Sequence, residues 1–448
     1  MRFPFRIEGR AEFLDDLPAT ADLVVIGGGV LGITAALYAA RAGLSVVVCE
    51  KGRVAGEQSS RNWGWIRVQG RDMAEIPIAL QSQEMWKALD ADCGGRLGVR
   101  AVGTTYIARS QDELEGYRGW LRDAKRRCDV SSRLLDRDEM QDLLGQPKAN
   151  WIGALHTPTD LKAEPWVAVP ELARLARSEG ARIAEACAVR SLLRENGRVA
   201  GVMTEEGPIR APRVILAGGA WSSLFLRRHG VSIPQLSVRS TAMATGPLPQ
   251  RVTTAGVDDR MAFRPREDGG YTLAPAAFSE LFFGPDVIRH MGWYLRLAAM
   301  GDFETYLRRP APRGFPDAFS TPRFWRADEE SPFERMRVLN PDPNMAKVTE
   351  LKRRFQSVWP DLGKVDHVKA WAGMIDVMPD VVPVVDKVKA HPGLVVATGM
   401  SGHGFGAGPA FGKIALDLAM DTPPEHDLTR FRLSRFSDGS ELIPGPNI

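Results

Sequence analysis

A turn that holds three closely spaced glycines, Gly27, Gly29 and Gly32, constrains the fold of this chain more than any other feature of its sequence. The run LVVI before the turn is too short for a helix and has the composition of a parallel strand buried on both faces. The run VLGITAALYAARAG after it predicts a helix that ends at Gly43. With LSVVVCE as a second strand, residues 22–50 are predicted to form a βαβ unit.

The glycine spacing also predicts a ligand for this unit. The first glycine permits the turn, the second lets a pyrophosphate approach the backbone, and the third lets helix and strand pack closely, while the helix N-terminus favours negative charge. Glu50, which ends the second predicted strand, is placed to accept hydrogen bonds from an adenosine ribose. We therefore predict dinucleotide binding, and the place of the unit at the start of the chain favours a tightly held FAD over NAD. The alternative is a glycine-rich turn without a ligand.

Length and charge narrow the class of protein. A chain of 448 residues exceeds one comfortable core, so two domains or one large composite fold are expected. Its net charge of +3 is small, and its basic clusters, Lys125-Arg126-Arg127, Arg227-Arg228 and Lys352-Arg353-Arg354, lie far apart in helix-like stretches. These clusters are read as solvated faces, which argues against nucleic-acid binding.

The cysteines and the apolar runs indicate a compartment. Cys49, Cys93, Cys128 and Cys187 show no CxxC pair and no regular spacing, which argues for a reducing compartment and against a disulfide scaffold or a zinc site. No run of about 18 apolar residues occurs, and the N-terminal stretch lacks the apolar core of a signal peptide. The protein is predicted to be cytoplasmic.

The remaining elements are predicted from periodicity and turn residues. Helices are expected at 72–91, 111–127, 136–145 and 166–179, and strands between 187 and 217 with a hairpin at Asn196-Gly197. Residues 237–275 are strand-like, and 276–308 have helical spacing. Residues 309–345 contain seven prolines and are predicted to be a long irregular excursion, and 364–420 give strands, a glycine-rich turn and a closing helix.

Three separated stretches carry a resemblance to a known family: EKGRVAGEQSSRNWGWIRVQG (50–70), PRVILAGGAWSS (212–223) and PGLVVATGMSGHGFGAGPAFGKIALDLA (392–419). In this order they resemble the FAD-dependent D-amino acid oxidase superfamily, which includes glycine oxidase, sarcosine oxidase and bacterial D-amino acid dehydrogenase. The resemblance covers the flavin-binding half of the chain well and the substrate half poorly.

The resemblance implies an α/β protein of two domains. One is a discontinuous Rossmann-like FAD-binding domain of the glutathione-reductase type, formed by residues 1–75, 151–236 and 365–448. The other is a substrate domain with a mixed sheet and helices (α+β), formed by residues 76–150 and 237–364.

The resemblance also implies roles for individual residues along the FAD. The ADP part would be held by Gly27, Gly29, Gly32 and Glu50, with Lys51 beside the ribose. The pyrophosphate and the N5 edge of the flavin would be lined by Ser59, Ser60, Arg61, Asn62 and Gly64. The adenine and adenosine would be contacted by Val189, Ala217, Gly218 and Trp221, and the pyrimidine end of the flavin by Gly399, Gly402, His403, Gly404, Phe405 and Gly406.

The glycine-rich segment from Gly399 to Gly406 also suggests a role on physical grounds, without the resemblance. A glycine-rich turn that feeds a helix near Gly408 aims backbone N–H groups and a positive helix end at one spot. Such a spot would stabilise negative charge at N1 and O2 of a reduced flavin. His403 is accordingly a candidate catalytic residue, and the alternative is a turn histidine bonded to its own backbone.

The sequence departs from the family at two known sites of covalent flavin attachment. Some relatives tether the flavin through a cysteine in the segment that aligns with WAGMIDVMPD (371–380), or through a histidine near the serine pair. This chain has Gly373 and Arg61 at those places. The FAD is therefore predicted to be non-covalent.

A third departure concerns the substrate. In glycine oxidase and its D-amino acid relatives an arginine on this segment grips the substrate carboxylate, and here Ile375 stands at that place, with Asp376 next to it. The candidates for another cation are Arg67 and Arg264, and Tyr271 and Trp371 are further candidate substrate contacts. Sarcosine oxidase relatives use a lysine over the flavin to speed the reaction with oxygen. The nearest matching position here is Thr272. Because this position is not a lysine, a dehydrogenase that uses another electron acceptor is favoured.

Asp376 leaves three interpretations open: a structural acid that caps a turn or pairs with an arginine, a substrate contact, and a general base. Hydride transfer from an amine carbon needs the nitrogen lone pair, and a carboxylate beside the nitrogen favours its protonated form. As a substrate contact, Asp376 would therefore suit a second, distal cation. N-substituted amino acids, opine-like compounds and polyamine derivatives fit this hypothesis.

The predicted function is FAD-dependent oxidation of a C–N bond in a small-molecule amine or amino acid, by hydride transfer to flavin N5 and hydrolysis of the imine. The alternative is a flavoprotein subunit of a multi-chain amine or opine dehydrogenase that passes electrons to a partner protein. A third hypothesis is that residues 281–300 contact a membrane surface. The competing interpretation is that these residues form a helix that covers the active site.

Overall fold

The computed structural model describes residues 11–299 and 304–445. The helices within these ranges are α1 (Val30–Arg41), α2 (Gln58–Arg61), α3 (Ile76–Asp92), α4 (Gln111–Arg127), α5 (Arg137–Leu143), α6 (Pro165–Ser178), α7 (Ser222–Arg228), α8 (Pro285–Ala299), α9 (Pro332–Arg335), α10 (Met345–Val358) and α11 (Gly404–Ala419). The strands are β1 (Leu23–Ile26), β2 (Val46–Cys49), β3 (Trp65–Ile66), β4 (Arg100–Ala101), β5 (Thr104–Ala108), β6 (Arg133–Leu135), β7 (Gly153–Thr157), β8 (Leu161–Lys162), β9 (Arg182–Ala184), β10 (Val189–Glu195), β11 (Arg198–Thr204), β12 (Gly207–Arg210), β13 (Val214–Leu216), β14 (Leu236–Thr245), β15 (Ala255–Val257), β16 (Met261–Pro265), β17 (Tyr271–Pro275), β18 (Phe278–Phe283), β19 (Glu304–Pro310), β20 (His367–Val377), β21 (Val384–Lys387) and β22 (Leu394–Thr398).

The predicted βαβ unit forms the centre of a six-stranded sheet with the order β21-β22-β13-β1-β2-β9. Its strands are parallel except for β21. Alternate residues of β1 enter different cores: Leu23 and Val25 pack with α1, α3, α6 and α11, while Val24 and Ile26 pack with the β10-β11-β12 sheet. A continuous apolar run is needed because both faces of the strand are covered. The prediction of a Rossmann-like α/β fold is confirmed.

The hairpin at Asn196-Gly197 joins β10 to β11, with Glu195 opposite Arg198. Asn196 has φ +48° and Gly197 has φ +78°, the left-handed pair that a two-residue hairpin turn requires. This small sheet covers the face of the six-stranded sheet that lies opposite the helices.

A large mixed sheet has the order β19-β18-β14-β17-β16-β15-β5-β7-β6, with β20 paired along β14. The pairs β15/β5 and β18/β19 are parallel, and the other neighbouring strands are antiparallel. Its core is rich in aromatic residues, among them Phe263, Phe355 and Trp359. The predicted mixed sheet is therefore present.

Sheet membership divides the chain differently from the predicted domain ranges. β7 lies inside 151–236 and β20 inside 365–448, both assigned to the cofactor domain, yet both pair within the large mixed sheet. A strand pairs with the sheet edge that it fits in the fold, and its position in the sequence does not show which edge that is. The domain division itself stays a prediction.

Two of the sequence-based element assignments also need correction. Helical spacing was expected over 276–308, whereas the described part of that range forms β18, α8 and the start of β19. The irregular excursion 309–345 contains α9, and Trp325, Phe333 and Leu339 within it are buried against the cofactor side of the protein. Much of the excursion is therefore packed structure.

Two expectations from the sequence concern membrane-spanning helices and metal sites. Within 11–299 and 304–445, no helix combines the length and the apolar character that crossing a bilayer requires. In the same residues, no three His, Cys, Asp or Glu side chains gather as a metal site would need, and the four cysteines are free thiols. The prediction of a cytoplasmic protein stays a prediction.

Candidate active site

One cavity of about 1030 Å³ runs from the glycine turn after β1 to the large mixed sheet. At one end it is lined by Gly27, Gly29 and Glu50, and at the other by residues such as Ala242 and Phe278. A space of this size is at the upper end of those that enclose cofactors and small ligands. The two sheets therefore share a single chamber.

The glycines of the turn are required by close contacts. Gly27 has φ +111°, and a Cβ on it would lie 2.4 Å from the carbonyl oxygen of Ala217. A Cβ on Gly32 would lie 2.0 Å from the carbonyl oxygen of Gly27, so this glycine lets α1 pack against the turn and does not line the cavity. Gly29 lies on the cavity wall beside Ser59.

The N-terminus of α1 opens on this end of the cavity. The backbone N–H of Val30 donates to the Ser59 hydroxyl over 2.9 Å, and no acidic residue lies in the first turn of the helix. Asn62 also lines the cavity nearby. The positive helix end and these polar groups suit a pyrophosphate.

Glu50 fixes the turn from the end of β2. Its carboxylate accepts hydrogen bonds of 2.7 Å from the N–H groups of Gly28 and Gly52. Burial raises the pKa of Glu50, although the Lys51 charge and the two N–H groups oppose that shift. Because it also lines the cavity, Glu50 is placed as the predicted ribose contact would require.

Lys51 lies on the cavity wall, but its ammonium is occupied by protein groups. It donates to Glu57 over 2.7 Å and to the carbonyl oxygens of Met336 and Arg337 over 2.9 and 3.0 Å. It also lies 4.4 Å from the ring centre of Trp221. An ammonium has three hydrogens to donate, and these three partners accept them. The role of Lys51 beside the ribose stays a prediction.

The predicted adenosine contacts come together on one part of the wall. Val189, Ala217, Gly218 and Trp221 all line the cavity. The indole N–H of Trp221 donates to both carboxylate oxygens of Glu57 over 3.1 Å. Glu57 thus bonds to both Lys51 and Trp221. The sequence did not predict this role, because Glu57 lies in a loop and belongs to no recognised motif.

The N-terminus of α11 forms the opposite wall, with Gly402, His403, Gly404 and Phe405 lining the cavity. The Nδ1 atom of His403 lies 3.1 Å from Oε2 of Glu75. Burial, with the nearby Arg71 charge, lowers the pKa of His403 to about 4, so the ring is neutral near pH 7. Since a carboxylate accepts at Nδ1, the proton lies on Nδ1 and the lone pair on Nε2.

Four predicted flavin contacts do not line the cavity. The Ser60 hydroxyl donates to the carbonyl oxygen of Ala55. The glycines pack instead: a Cβ would meet the Ala163 carbonyl oxygen at Gly64, Met378 at Gly399, and the Trp65 carbonyl oxygen at Gly406. These residues shape the backbone behind the cavity wall. A sequence motif does not distinguish such residues from those that line the cavity.

The two positions at which relatives attach the flavin are neighbours here. A Cβ on Gly373 would lie 3.3 Å from the Cβ of Arg61. The Arg61 guanidinium donates to the Asn340 side chain over 2.7 Å and to the carbonyl oxygen of Ala372 over 2.9 Å. Burial lowers the pKa of Arg61 to about 10. Neither residue offers a nucleophile for attachment.

The structure buries three predicted substrate contacts away from the cavity. Arg264 forms a bidentate ion pair with Glu164, at 3.0 and 2.9 Å. Tyr271 donates its hydroxyl to the Val252 carbonyl oxygen, and Trp371 donates its indole N–H to the Arg61 carbonyl oxygen. Thr272 is also buried off the cavity, so its comparison with a lysine has no bearing on the site.

Arg67 does line the cavity. Its guanidinium lies 5.3 Å from the ring centre of Tyr106 and 6.0 Å from that of Trp65. Sequence reasoning missed Arg71, Tyr106 and Tyr117, which line the same region. The signal for Arg71 was its place four residues after Arg67, in the stretch IRVQGRD.

Asp376 lines the cavity from β20 and is 1% exposed. Its Oδ2 accepts hydrogen bonds from the Gly399 N–H at 2.8 Å, the Gln235 amide at 3.1 Å and the Thr398 hydroxyl at 3.3 Å. Burial raises its pKa, and these donors oppose the shift. The carboxylate therefore joins β20 to the turn before α11, and its role as a substrate contact or base stays a prediction.

The residues present fit FAD. Two helix N-termini without acidic residues in their first turns open on one cavity, and a partly buried acid, Glu50, follows the second strand. The positive N-terminus of α1 would stabilise a pyrophosphate. The positive N-terminus of α11 would stabilise the negative charge of a reduced flavin ring.

Comparisons with known proteins agree with this geometry. The chain is 26% identical to N-methyl-L-tryptophan oxidase of Salmonella arizonae, over 93% of this chain and 99% of that protein. It is 23% identical to 4-methylaminobutanoate oxidase (formaldehyde-forming) of Paenarthrobacter nicotinovorans, over 94% of this chain and 46% of that protein. The solved structure of L-amino acid deaminase from Proteus myxofaciens, in complex with anthranilate, matches with a TM-score of 0.90 and 28% identity, over 96% of this chain and 97% of that one.

The model of one family accounts for nearly the whole of this fold. It is described as FAD dependent oxidoreductase and matches residues 22–418, which include the glycine turn, both sheets and α11 up to Leu418. The chain therefore belongs to the DAO family of FAD-dependent oxidoreductases, and it is an enzyme whose cofactor is FAD.

Proposed function

We propose that this enzyme oxidises the C–N bond of an amine or amino acid, with N-substituted amino acids favoured, and that water then hydrolyses the imine. The observation that carries the proposal is the continuity of the cavity, which joins the FAD cradle to a chamber with aromatic walls and an arginine. FAD, when bound, supplies the hydride acceptor.

The names of the relatives support the substrate class. Two name N-methylated amino acids, N-methyl-L-tryptophan and 4-methylaminobutanoate, and the third names L-amino acids. Each of these compounds carries an amine and a carboxylate. A substrate with both groups is therefore the natural proposal for this chain.

The protonation of the site suits an amine that must react through its nitrogen lone pair. Asp376 is bonded to Gln235, Thr398 and Gly399, so it has protein donors in place of a substrate ammonium. His403 is neutral near pH 7, so it adds no positive charge beside an amine that must react unprotonated. Buried aromatic side chains, such as Tyr106 and Trp65, exclude water from this part of the cavity.

This bonding of Asp376 weakens the support for a cationic substrate, because Oδ2 already accepts from protein donors. The sequence predicts a distal cation for Asp376, because a carboxylate beside the reacting nitrogen would favour the protonated amine. A buried carboxylate needs compensation, and protein donors supply it at Oδ2. An N-substituted amino acid without a second cation is consequently favoured over a polyamine derivative.

Anaerobic reduction of the flavin tests the proposal directly. The holoenzyme would be mixed with D-amino acids, L-amino acids, N-methyl amino acids, opines and polyamines, and bleaching of the flavin absorbance would be followed. N-methyl amino acids should bleach the flavin fastest and polyamines slowest. If dithionite bleaches the flavin and none of the amines does, C–N oxidation is not the function.

A second candidate concerns where the electrons go after the substrate is oxidised. The outward face of α8 exposes Ile288, Met291 and Leu295, which are 54%, 46% and 61% exposed, and Arg289 lies exposed beside them. An apolar helix face with a basic residue suits the surface of an anionic bilayer. Delivery of electrons to an acceptor at a lipid surface is thus favoured over delivery to an acceptor free in solution.

The opposite side of the same helix covers the cavity. Tyr294 lines it, and its hydroxyl donates to the carbonyl oxygens of Pro234 and Val377 at 2.7 and 2.5 Å. A helix that covers the active site and a helix that touches a membrane are therefore compatible interpretations of α8.

A further inference from the structure

The last part of the excursion forms one wall of the cavity. Residues 331–340, which contain α9, are called the strap below. Three strap residues line the cavity: Phe333, Arg337 and Val338. The family resemblance placed 237–364 in a substrate domain and implied adenosine contacts from other parts of the chain, such as Trp221. The strap therefore reaches the cavity from a segment in which the sequence predicts no cofactor contact.

Aromatic packing places the strap beside Trp221. The ring centre of Phe333 lies 5.8 Å from that of Trp221, with the ring planes at 71°, and 6.1 Å from that of Phe225. Trp325 also packs edge-on against Phe333, with 5.3 Å between the ring centres. Such edge-to-face contacts are favourable because the positive edge of one ring meets the negative face of the other. Phe333 is thus buried next to a predicted adenosine contact.

Two ion pairs hold the strap against the small β10-β11-β12 sheet. Glu334 accepts two hydrogen bonds from the Arg190 guanidinium of β10, at 2.9 and 2.7 Å. Arg337 pairs with Glu205, which lies in the turn between β11 and β12. A guanidinium that bonds both oxygens of a carboxylate fixes the orientation of the pair as well as its distance. The ion pairs therefore set the position of the strap over the cavity.

Backbone contacts join the strap to the loop after β2. A Cβ on Gly52 would lie 2.0 Å from the carbonyl oxygen of Arg337, so the two segments touch directly. The N–H of Leu339 donates to Glu57 over 2.9 Å, and Lys51 donates to two carbonyl oxygens of the strap. The strap thus covers the loop that follows the predicted ribose contact.

We infer that the strap is part of the FAD site and retains the cofactor by its adenosine half. The inference goes beyond the proposed function, because it concerns the cofactor and holds for any substrate. Adenine is a flat and largely apolar ring, and sites for such groups are lined by apolar and aromatic side chains. Phe333 and Val338 supply this kind of wall, and both ion pairs must break before the strap can move away. FAD should therefore leave the protein slowly while the strap is in place.

Release of FAD from the holoenzyme tests the inference without any substrate. The rate of release after dilution can be followed by the rise in flavin fluorescence as the cofactor leaves the protein. Phe333→Ala should raise this rate about tenfold, because it removes the aromatic wall, and Phe333→Leu should raise it less, because it keeps an apolar side chain. Glu334→Gln weakens the anchor on Arg190 and should raise the rate about threefold.

Two controls separate the strap from general effects. Phe319→Ala truncates an exposed phenylalanine of the same excursion outside the strap and should leave the rate of FAD release unchanged. Phe355→Leu truncates a buried phenylalanine in the core of the large mixed sheet. It destabilises the protein away from the strap, so it should change the rate less than about twofold.

The outcomes decide between a strap that retains FAD and a segment that only packs against the fold. If Phe333→Ala fails to fold, Phe333→Leu and Glu334→Gln carry the test. An unchanged rate of FAD release in folded strap variants overturns the inference, as does an equal rise in Phe355→Leu. Failure of the proposed function would appear separately, as flavin that no amine reduces.

Discussion

The carboxylate of Asp376 accepts a hydrogen bond of 2.8 Å from the backbone N–H of Gly399. Gly399 follows β22 and has φ +69°, and the chain turns there toward the N-terminus of α11. The bond therefore ties β20, which belongs to the large mixed sheet, to the turn that positions the flavin end of the cavity. A residue at the substrate end thus supports the geometry of the cofactor end.

Substitution of Asp376 should separate its structural role from a role at the substrate. Asp376→Ala leaves the buried Gly399 N–H without its acceptor and removes one acceptor of the Gln235 amide, and should lower the free energy of unfolding by about 2–3 kcal/mol. Asp376→Asn keeps an oxygen acceptor and removes a buried charge, so its loss should be about 1 kcal/mol or less. Urea unfolding of the holoenzymes measures both values.

Two further results complete the test of Asp376. Asp366→Ala, at an exposed position before β20, serves as the control and should change the unfolding free energy by less than about 0.5 kcal/mol. FAD content should stay full in Asp376→Asn, and a raised substrate Kd in that variant would support a substrate contact. Full stability of Asp376→Ala would contradict the structural role.

The FAD should be released intact when the protein unfolds. Gly373 and Arg61, at the positions where relatives attach the flavin, pack against each other and carry no group that forms such a bond. Acid precipitation should therefore leave all of the flavin absorbance in the supernatant, and the mass of the chain should equal that of the polypeptide alone. Yellow precipitate, or a mass increased by a flavin, would be the contrary result.

The cofactor half of the fold could be predicted because its signals are local. The strand-turn-helix of β1 and α1 needs a continuous apolar run and glycines at fixed places, and both requirements are visible within some 30 residues of sequence. The hairpin at Asn196-Gly197 is local in the same sense. The N-termini of α1 and α11 could be predicted because each follows a glycine-rich turn.

The substrate end could not be predicted to the same extent because its partners are distant in sequence. Arg264 was a candidate anchor until the fold brought Glu164, a residue 100 positions away, into a buried ion pair with it. Asp376 gains its donors from Gln235 and the Thr398-Gly399 turn in the same way. A single sequence shows the charge of such residues, whereas the structure decides which of them remains free for a ligand.

The exposed face of α8 should bind anionic lipid. Vesicles of phosphatidylcholine and phosphatidylglycerol should carry the wild type upward in a flotation gradient, because Ile288, Met291 and Leu295 present apolar area beside Arg289. The double variant Ile288→Gln/Leu295→Gln should float at least fivefold less. Met345→Gln/Val368→Gln, which changes exposed apolar residues elsewhere, should float as the wild type does. A wild type that stays at the bottom of the gradient would contradict lipid contact.

The pair of His403 and Glu75 should make stability depend on pH in the weakly acidic range. Burial lowers the pKa of His403 from 6.5 to about 4, so between these values the unfolded chain binds a proton that the folded chain does not. Stability is therefore full above pH 6.5 and is lost as the pH falls toward 4, by at most about 3 kcal/mol from this group. His403→Asn keeps a donor for Glu75 and removes the titration, so its unfolding free energy should fall less steeply over the same range. Urea unfolding at pH 7, 5.5 and 4.5 measures the difference, and His426→Asn is the control. If the unfolding free energy of His403→Asn and of the wild type falls equally with pH, His403 does not titrate as a buried group.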